Sequence, residues 1–233
     1  MNLFYQPRIR EGIYQLDADE SRHCTRVLRK RAGDSIRLTD GRGFFYDAVI
    51  EDDSQRECRF RITTTHEVQP NPCTIHIAVA PTKNADRIEW FVEKATEFGI
   101  DRITLLSCQH SERTFIKTER LEKIALSAMK QSLKAYLPVI TPLTPFPELV
   151  QSATEQHRFI AHVDDSNPLH LQDAARDRKG SYLVLIGPEG DFSPEELQLA
   201  SSAGFLKVSL GKSRLRTETA ALAACHILNL ANK

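Results

Sequence analysis

The sequence predicts an α/β chain in two parts: a small β-barrel over residues 1–69, then a domain over residues 73–233 built on a mostly parallel sheet with helices on both faces. Three observations predict it. Short β-prone runs around a hairpin-like turn fill the first part. The segment Gln69-Pro70-Asn71-Pro72 then imposes extended backbone and breaks any helix or central strand. Beyond it, apolar strands alternate with amphipathic helices, the pattern of a parallel sheet covered on both faces.

In the first part, residues 12–16 read as a short strand. Residues 17–28 read as a helix, with acids at its start and Arg26 and Arg29 at its end, as the helix dipole favours. Runs 35–38 and 44–50 are strand-like and flank Thr39-Asp40-Gly41-Arg42-Gly43, a hairpin turn. Residues 58–65 complete the meander.

In the second part, 74–80 is a buried strand. Residues 84–98 form an amphipathic helix with Ile88, Phe91, Val92, Ala95 and Phe98 at helical spacing, Asn84 at its start and Gly99 at its end. Strands follow at 103–107, 158–163 and 182–186. Helices are predicted at 118–136, 194–203 and 218–230. The last of these is alanine-rich and nearly apolar all round, so most of its sides must be covered.

Composition narrows the function. The chain has 233 residues, 41% of them hydrophobic, enough for a sizeable core. Its 31 basic and 31 acidic residues cancel, so a nucleic-acid partner must be argued from where charges sit, not from their sum. No apolar run approaches the roughly 20 residues of a membrane helix, and no signal core follows Met1, which predicts a cytoplasmic protein. The five cysteines, Cys24, Cys58, Cys73, Cys108 and Cys225, have no metal-ligand spacing, and the eight histidines form no close pair, so no metal is expected.

Two segments carry chemistry. Gly187-Pro188-Glu189-Gly190-Asp191-Phe192-Ser193 follows an apolar strand and opens a helix, with Ser193, Pro194 and Glu196 at N-cap, first-turn and capping-box positions. A loop at the carboxyl end of a parallel strand is where open α/β sheets bind ligands. The second segment is Leu210-Gly211-Lys212-Ser213-Arg214-Leu215-Arg216-Thr217-Glu218-Thr219-Ala220, again a strand ending in a glycine loop before a helix that Thr217 is placed to cap. Gly211-Lys212-Ser213 looks like the end of a P-loop, but the required earlier glycine is replaced by Leu206. Gly41-Arg42-Gly43 precedes no helix, so the dinucleotide fingerprint is absent too.

A basic run, Arg22, Arg26, Arg29, Lys30 and Arg31, follows Arg8 and Arg10. On a continuous helix, Arg22, Arg26, Arg29 and Lys30 would share one face, suited to phosphate contacts that position an RNA.

The paired motifs at 187–193 and 210–220 closely resemble the ribosomal RNA small subunit methyltransferase E family. His23 to Arg29, Asp86-Arg87-Ile88-Glu89-Trp90, Lys94 to Gly99 and Gln131-Ser132 add support across nearly the whole chain. The resemblance implies a PUA-like RNA-binding β-barrel followed by a SPOUT methyltransferase domain whose C-terminal segment is threaded into a trefoil knot. It also implies S-adenosylmethionine as cofactor, a homodimer, and N3-methyluridine in the decoding region of 16S rRNA as product. Two positions depart from the family: Asp191 stands where a second glycine is usual, and Arg214 where isoleucine is frequent.

By the same resemblance, the first motif supplies cofactor contacts at Leu185, Gly187, Pro188, Glu189 and Gly190. The second supplies them at Leu210, Gly211, Leu215, Arg216, Thr217 and Ala220. Uridine N3 carries a proton and is a poor nucleophile, so the site must remove that proton or stabilise the anion. Arg216 is the candidate for the uracil oxygens and Glu218 or Glu189 for the proton. Both glutamates also sit where helix N-termini favour acids for structural reasons alone. A methyltransferase for another RNA, and an RNA-binding protein without turnover, are the competing readings.

Overall fold

The computed structural model describes residues 2–162, 169–176 and 179–232. The chain divides into two units: residues 1–70 with 126–137, and residues 71–125 with 138–233. The stretch Leu126–Leu137, assigned on sequence to the second part, thus packs within the first.

The first unit is a four-stranded sheet in the order β1 (Leu3–Tyr5), β2 (Ser35–Thr39), β3 (Phe44–Asp52), β4 (Arg59–Glu67). The strand β1 runs parallel to β2, and the other neighbours are antiparallel. Alternation along β3 buries Tyr46, Ala48 and Ile50, which join Phe4, Leu16, Cys24, Leu38 and Phe60 in one core. The predicted strand 12–16 is not one. Gly12 ends a 3-10 turn, Ile9–Glu11, and Gln15 makes a single bridge to Arg59.

The predicted helix 17–28 is also shorter than expected. Asp17 caps α1 (Ala18–Arg22) through two backbone amides, a π-type turn follows over His23–Val27, and Arg29 takes a left-handed φ of 55°. The basic stripe is corrected accordingly. Arg22 and Arg26 lie exposed on the helical segment, but Arg29 and Lys30 fall beyond its end, where Lys30 Nζ donates to the Ser35 carbonyl. The wider π turn and the left-handed residue destroy the 3.6-residue register on which the stripe depended. Arg10 is held at home, 3.1 Å from Asp40 and over the Phe44 ring.

The second unit is a six-stranded, all-parallel sheet. Its strands are β5 (Cys73–Val79), β6 (Arg102–Ser107), β7 (Val139–Pro145), β8 (His157–Ala161), β9 (Gly180–Ile186) and β10 (Leu206–Val208), arranged β10-β8-β9-β5-β6-β7. The predicted strand 158–163 ends at Ala161, and Val163 lies outside the described residues. Both β5 and β9 are central and nearly wholly buried, which explains their unbroken apolar runs.

The helices are α2 (Ala85–Phe98), α3 (Thr118–Gln131), α4 (Phe146–Ser152), α5 (Leu171–Ala175), α6 (Pro194–Ser202) and α7 (Thr217–Ala231). Asn84 caps α2 and Gly99 closes it, as the sequence predicts. The helix predicted to reach residue 136 stops at Gln131, because Lys134 N turns back to the Met129 carbonyl and Leu133 adopts a φ of 54°. Helix α6 carries the full capping box of Ser193 and Glu196. On one face of the sheet, Phe146, Leu149, Ile160, Leu183, Leu185, Phe192 and Phe205 form a continuous apolar cluster.

Candidate active site

Because all six strands run the same way, their carboxyl ends share one edge, and the loops leaving that edge build the site. The loop after β9 begins in a turn in which Asp191 N donates to the Pro188 carbonyl at 3.0 Å. Gly190 sits hard against the loop after β6: a Cβ there would come within 3.0 Å of His110 Cβ. Glycine lets the two loops approach this closely without displacing His110. His110 Nδ1 lies 3.1 Å from the carbonyl oxygens of both Gly190 and Asp191 and fastens the two loops together.

Asp191, the departure from the family pattern, has a φ of 61°. That region favours glycine and, after it, asparagine and aspartate, so a family glycine and this aspartate answer the same backbone demand. Its carboxylate accepts from its neighbour Phe192 N at 2.8 Å and lies 2.9 Å from His162 Nδ1 at the end of β8. Arg214, the other departure, is exposed.

The loop after β5 joins from the other side. Lys83 N donates to Glu189 Oε1 at 3.4 Å, and Arg113 donates to the carbonyls of Thr82 and Lys83 at 3.1 and 2.6 Å. Sequence reasoning missed Lys83, His110, Arg113 and His162. Nothing in their spacing marks them, and only their place at strand ends would have drawn notice.

The segment after β10 returns from the sheet edge to the middle of the site. Thr217 is the residue that makes the junction. It does not cap α7; Arg216 occupies the N-cap and offers no side-chain bond. The buried Thr217 hydroxyl instead donates to the Gly187 carbonyl at 3.1 Å. The two sequence motifs therefore meet in space.

Of the remaining predicted site residues, Leu185 and Pro188 are buried, and the Leu185 side chain is spent in the core, which leaves only its backbone for a ligand. Leu210, Leu215 and Ala220 are half-buried, and Gly211, with open space where a Cβ would stand, is exposed. Arg216 is exposed. The two glutamates differ sharply. Glu189 is exposed and tied to Lys83 N, whereas Glu218 is only 7% exposed, with Oε1 3.9 Å from Arg87 Nε and Oε2 unpartnered among the described residues. Asp86, Arg87, Trp90, Glu218 and Thr219 line a hollow of about 250 Å³ between the first turns of α2 and α7. No group of three His, Cys, Asp or Glu among the described residues is placed to hold a metal ion.

Comparison with known proteins supports the same grouping. Residues 69–229 match the model of an RNA methyltransferase domain and residues 16–63 that of an RNA methyltransferase PUA domain. Ribosomal RNA small subunit methyltransferase E of Mycobacterium bovis is 30% identical, with 95% of this chain and 88% of that protein aligned. The chain belongs to the ribosomal RNA small subunit methyltransferase E family. A probable rRNA-methyltransferase from Porphyromonas gingivalis superposes with a TM-score of 0.92 at 47% identity, covering 100% of this chain and 98% of that one. The family member from Neisseria gonorrhoeae, solved bound to S-adenosylmethionine, superposes with a TM-score of 0.83 at 27% identity, covering 99% and 97%.

Proposed function

We propose that this protein is an S-adenosylmethionine-dependent methyltransferase that methylates N3 of a uridine in 16S rRNA of the small ribosomal subunit. The observation that carries the reading is the Thr217–Gly187 hydrogen bond, because it joins the two family motifs into one cradle at the strand ends. The residues present suit the cofactor: Gly211 has open space where a Cβ would stand, and the two glycine-bearing loops are joined through Thr217 and Gly187. Residues 187–190 and 210–215 with Arg216, Thr217 and Ala220 would hold it. When bound, the cofactor supplies an electrophilic methyl group.

The protein's own residues must then align the uracil and take up its N3 proton. Glu218 suits the proton, since its Oε2 is an acceptor without a donor, while Glu189 already accepts from Lys83. Arg216, exposed at the rim, supplies positive charge for the uracil oxygens as N3 loses its proton to Glu218 and gains the methyl. The first unit, with Arg8, Arg22 and Arg26 exposed, grips phosphates of the RNA, and Arg29 and Lys30 contribute from outside the helix face.

The trefoil knot belongs to the same reading, and the return of the chain from edge strand β10 to Gly187 supports it. So does a homodimer: Leu222, Ala223 and Ile227 of α7 are only half-buried, Leu230 is 44% exposed, and Phe98 and Trp90 of α2 are 41% and 42% exposed. A helix this apolar is covered on its open face by a second copy. No described helix is long and apolar enough to cross a membrane, in keeping with action on ribosomal RNA in the cytoplasm.

The test is mass analysis of 16S rRNA from cells lacking the gene, before and after treatment with the purified protein. Loss and return of one methyl on a uridine is expected. An unchanged methylation pattern refutes the reading. Arg216→Ala should bind the cofactor and fail to turn over, and normal turnover removes Arg216 from the mechanism.

A further inference from the structure

The loop between β6 and α3 is fixed at its root and bare at its tip. At the root, Cys108 N donates to Ser111 Oγ at 3.0 Å and Gln109 N to Glu196 Oε1 at 2.9 Å. His110 and Arg113 then tie it to the loops after β9 and β5. Two residues past Arg113 stands Phe115, 69% exposed, the most exposed large apolar side chain among the described residues. An isolated surface hydrophobe needs no explanation, but one held out from a doubly anchored loop at the rim of an active site does. Its charge setting also differs from an ordinary surface: Glu112 is paired with Lys83 at 3.0 Å and the half-buried Arg113 is engaged by two backbone carbonyls, which leaves the exposed Lys117 as the loop's cation toward solvent.

The chemistry supplies the occupant. Uridine N3 lies on the Watson–Crick edge, so the target base must leave its stack before the methyl can reach it. Extrusion unstacks its neighbours, and enzymes that displace bases recover part of that cost with an apolar or aromatic side chain against the exposed faces. We infer that Phe115 stacks on the nucleobase flanking the target uridine and holds the opened RNA in place, with Lys117 on the adjoining phosphate. Phe115 is thus a positioning residue for the RNA. It does not touch the reacting atoms, and its assignment rests on the methyltransferase reading above.

The experiment compares wild type with Phe115→Ala and Phe115→Trp on small subunits isolated from cells lacking the gene. Methyl incorporation gives kcat and KM, calorimetry gives cofactor affinity, and sedimentation gives the oligomeric state. The alanine variant should raise the KM for RNA about tenfold, as loss of one base–aromatic stack predicts, with cofactor affinity unchanged. Tryptophan should restore the KM. A 2-aminopurine next to the target uridine should be quenched on binding wild type and less so on binding the alanine variant. An unchanged KM in the alanine variant, with wild type active, overturns this inference alone. A change in sedimentation overturns it in favour of a contact between subunits. Absence of methyl transfer by wild type overturns the methyltransferase reading and this inference with it.

Discussion

The Thr217 hydroxyl donates to the Gly187 carbonyl at 3.1 Å across thirty residues of sequence. Thr217 is buried and Gly187 partly so, which makes the lost hydrogen bond costly chiefly on the hydroxyl's side. Thr217→Val keeps the shape and deletes the donor. It should lower stability by about 1 kcal/mol and weaken cofactor binding several-fold. Thr217→Ser should retain both. Thermal unfolding and calorimetry with the cofactor check the pair; equal behaviour of Val and Ser variants would show that the bond holds nothing in place.

Glu218 and Glu189 are separable by experiment. Glu218→Gln should reduce kcat by about 10²–10⁴-fold, the usual range for a positioned acid or base, with little change in cofactor affinity. Glu189→Gln, exposed and bonded only to Lys83 N, should reduce it far less. The reverse ranking in single-turnover assays would move the proton acceptor to Glu189.

Arg113 spans two carbonyls, those of Thr82 and Lys83, with two nitrogens of one planar group. A lysine cannot reproduce that fork. Both Arg113→Lys and Arg113→Ala should therefore loosen the loop after β5 and weaken cofactor binding about tenfold. Full affinity in the lysine variant would show that charge alone suffices.

Asp191 holds a left-handed φ of 61°. Asp191→Gly removes that strain while losing a half-exposed pairing with His162, so its stability should stay within about 0.5 kcal/mol of wild type. Asp191→Val, β-branched, should cost about 1–3 kcal/mol. Thermal unfolding of the two variants decides; similar melting temperatures would mean that the turn relaxes.

Acid sensitivity should trace in part to Glu155. Burial is the strongest single influence and pushes its carboxyl up, but the hydrogen bond with His76 at 2.7 Å, a backbone hydrogen bond and the charges of His76 and Arg102 together hold it below the ordinary value. A lowered folded value stabilises the ionised form. The contribution is complete above the unfolded value, about 4.3, and is lost as pH falls through the folded one. Glu155→Gln should flatten the acid limb of a denaturant-stability profile between those values and leave a smaller, pH-independent loss at neutrality. An acid limb identical to wild type would assign it to other carboxylates.

What the sequence determined by itself is local or periodic. The apolar runs of β5 and β9, the capped helix α2 and the capping box of α6 all follow from interactions within a few residues, and each is where the pattern places it. The motifs also identified the family, since their residue order is specific. Tertiary structure decided the rest. It ended α1 early and dissolved the basic stripe, because a π turn and a left-handed Arg29 answer to packing of Cys24 and Leu16 in the core, not to helical periodicity. It turned Thr217 from a helix cap into the bond that joins two motifs, and it recruited Lys83, His110 and Arg113 from loops whose spacing carries no signal. Those contacts exist only once parallel strands bring their carboxyl ends to one edge, a long-range arrangement that no short window of sequence encodes.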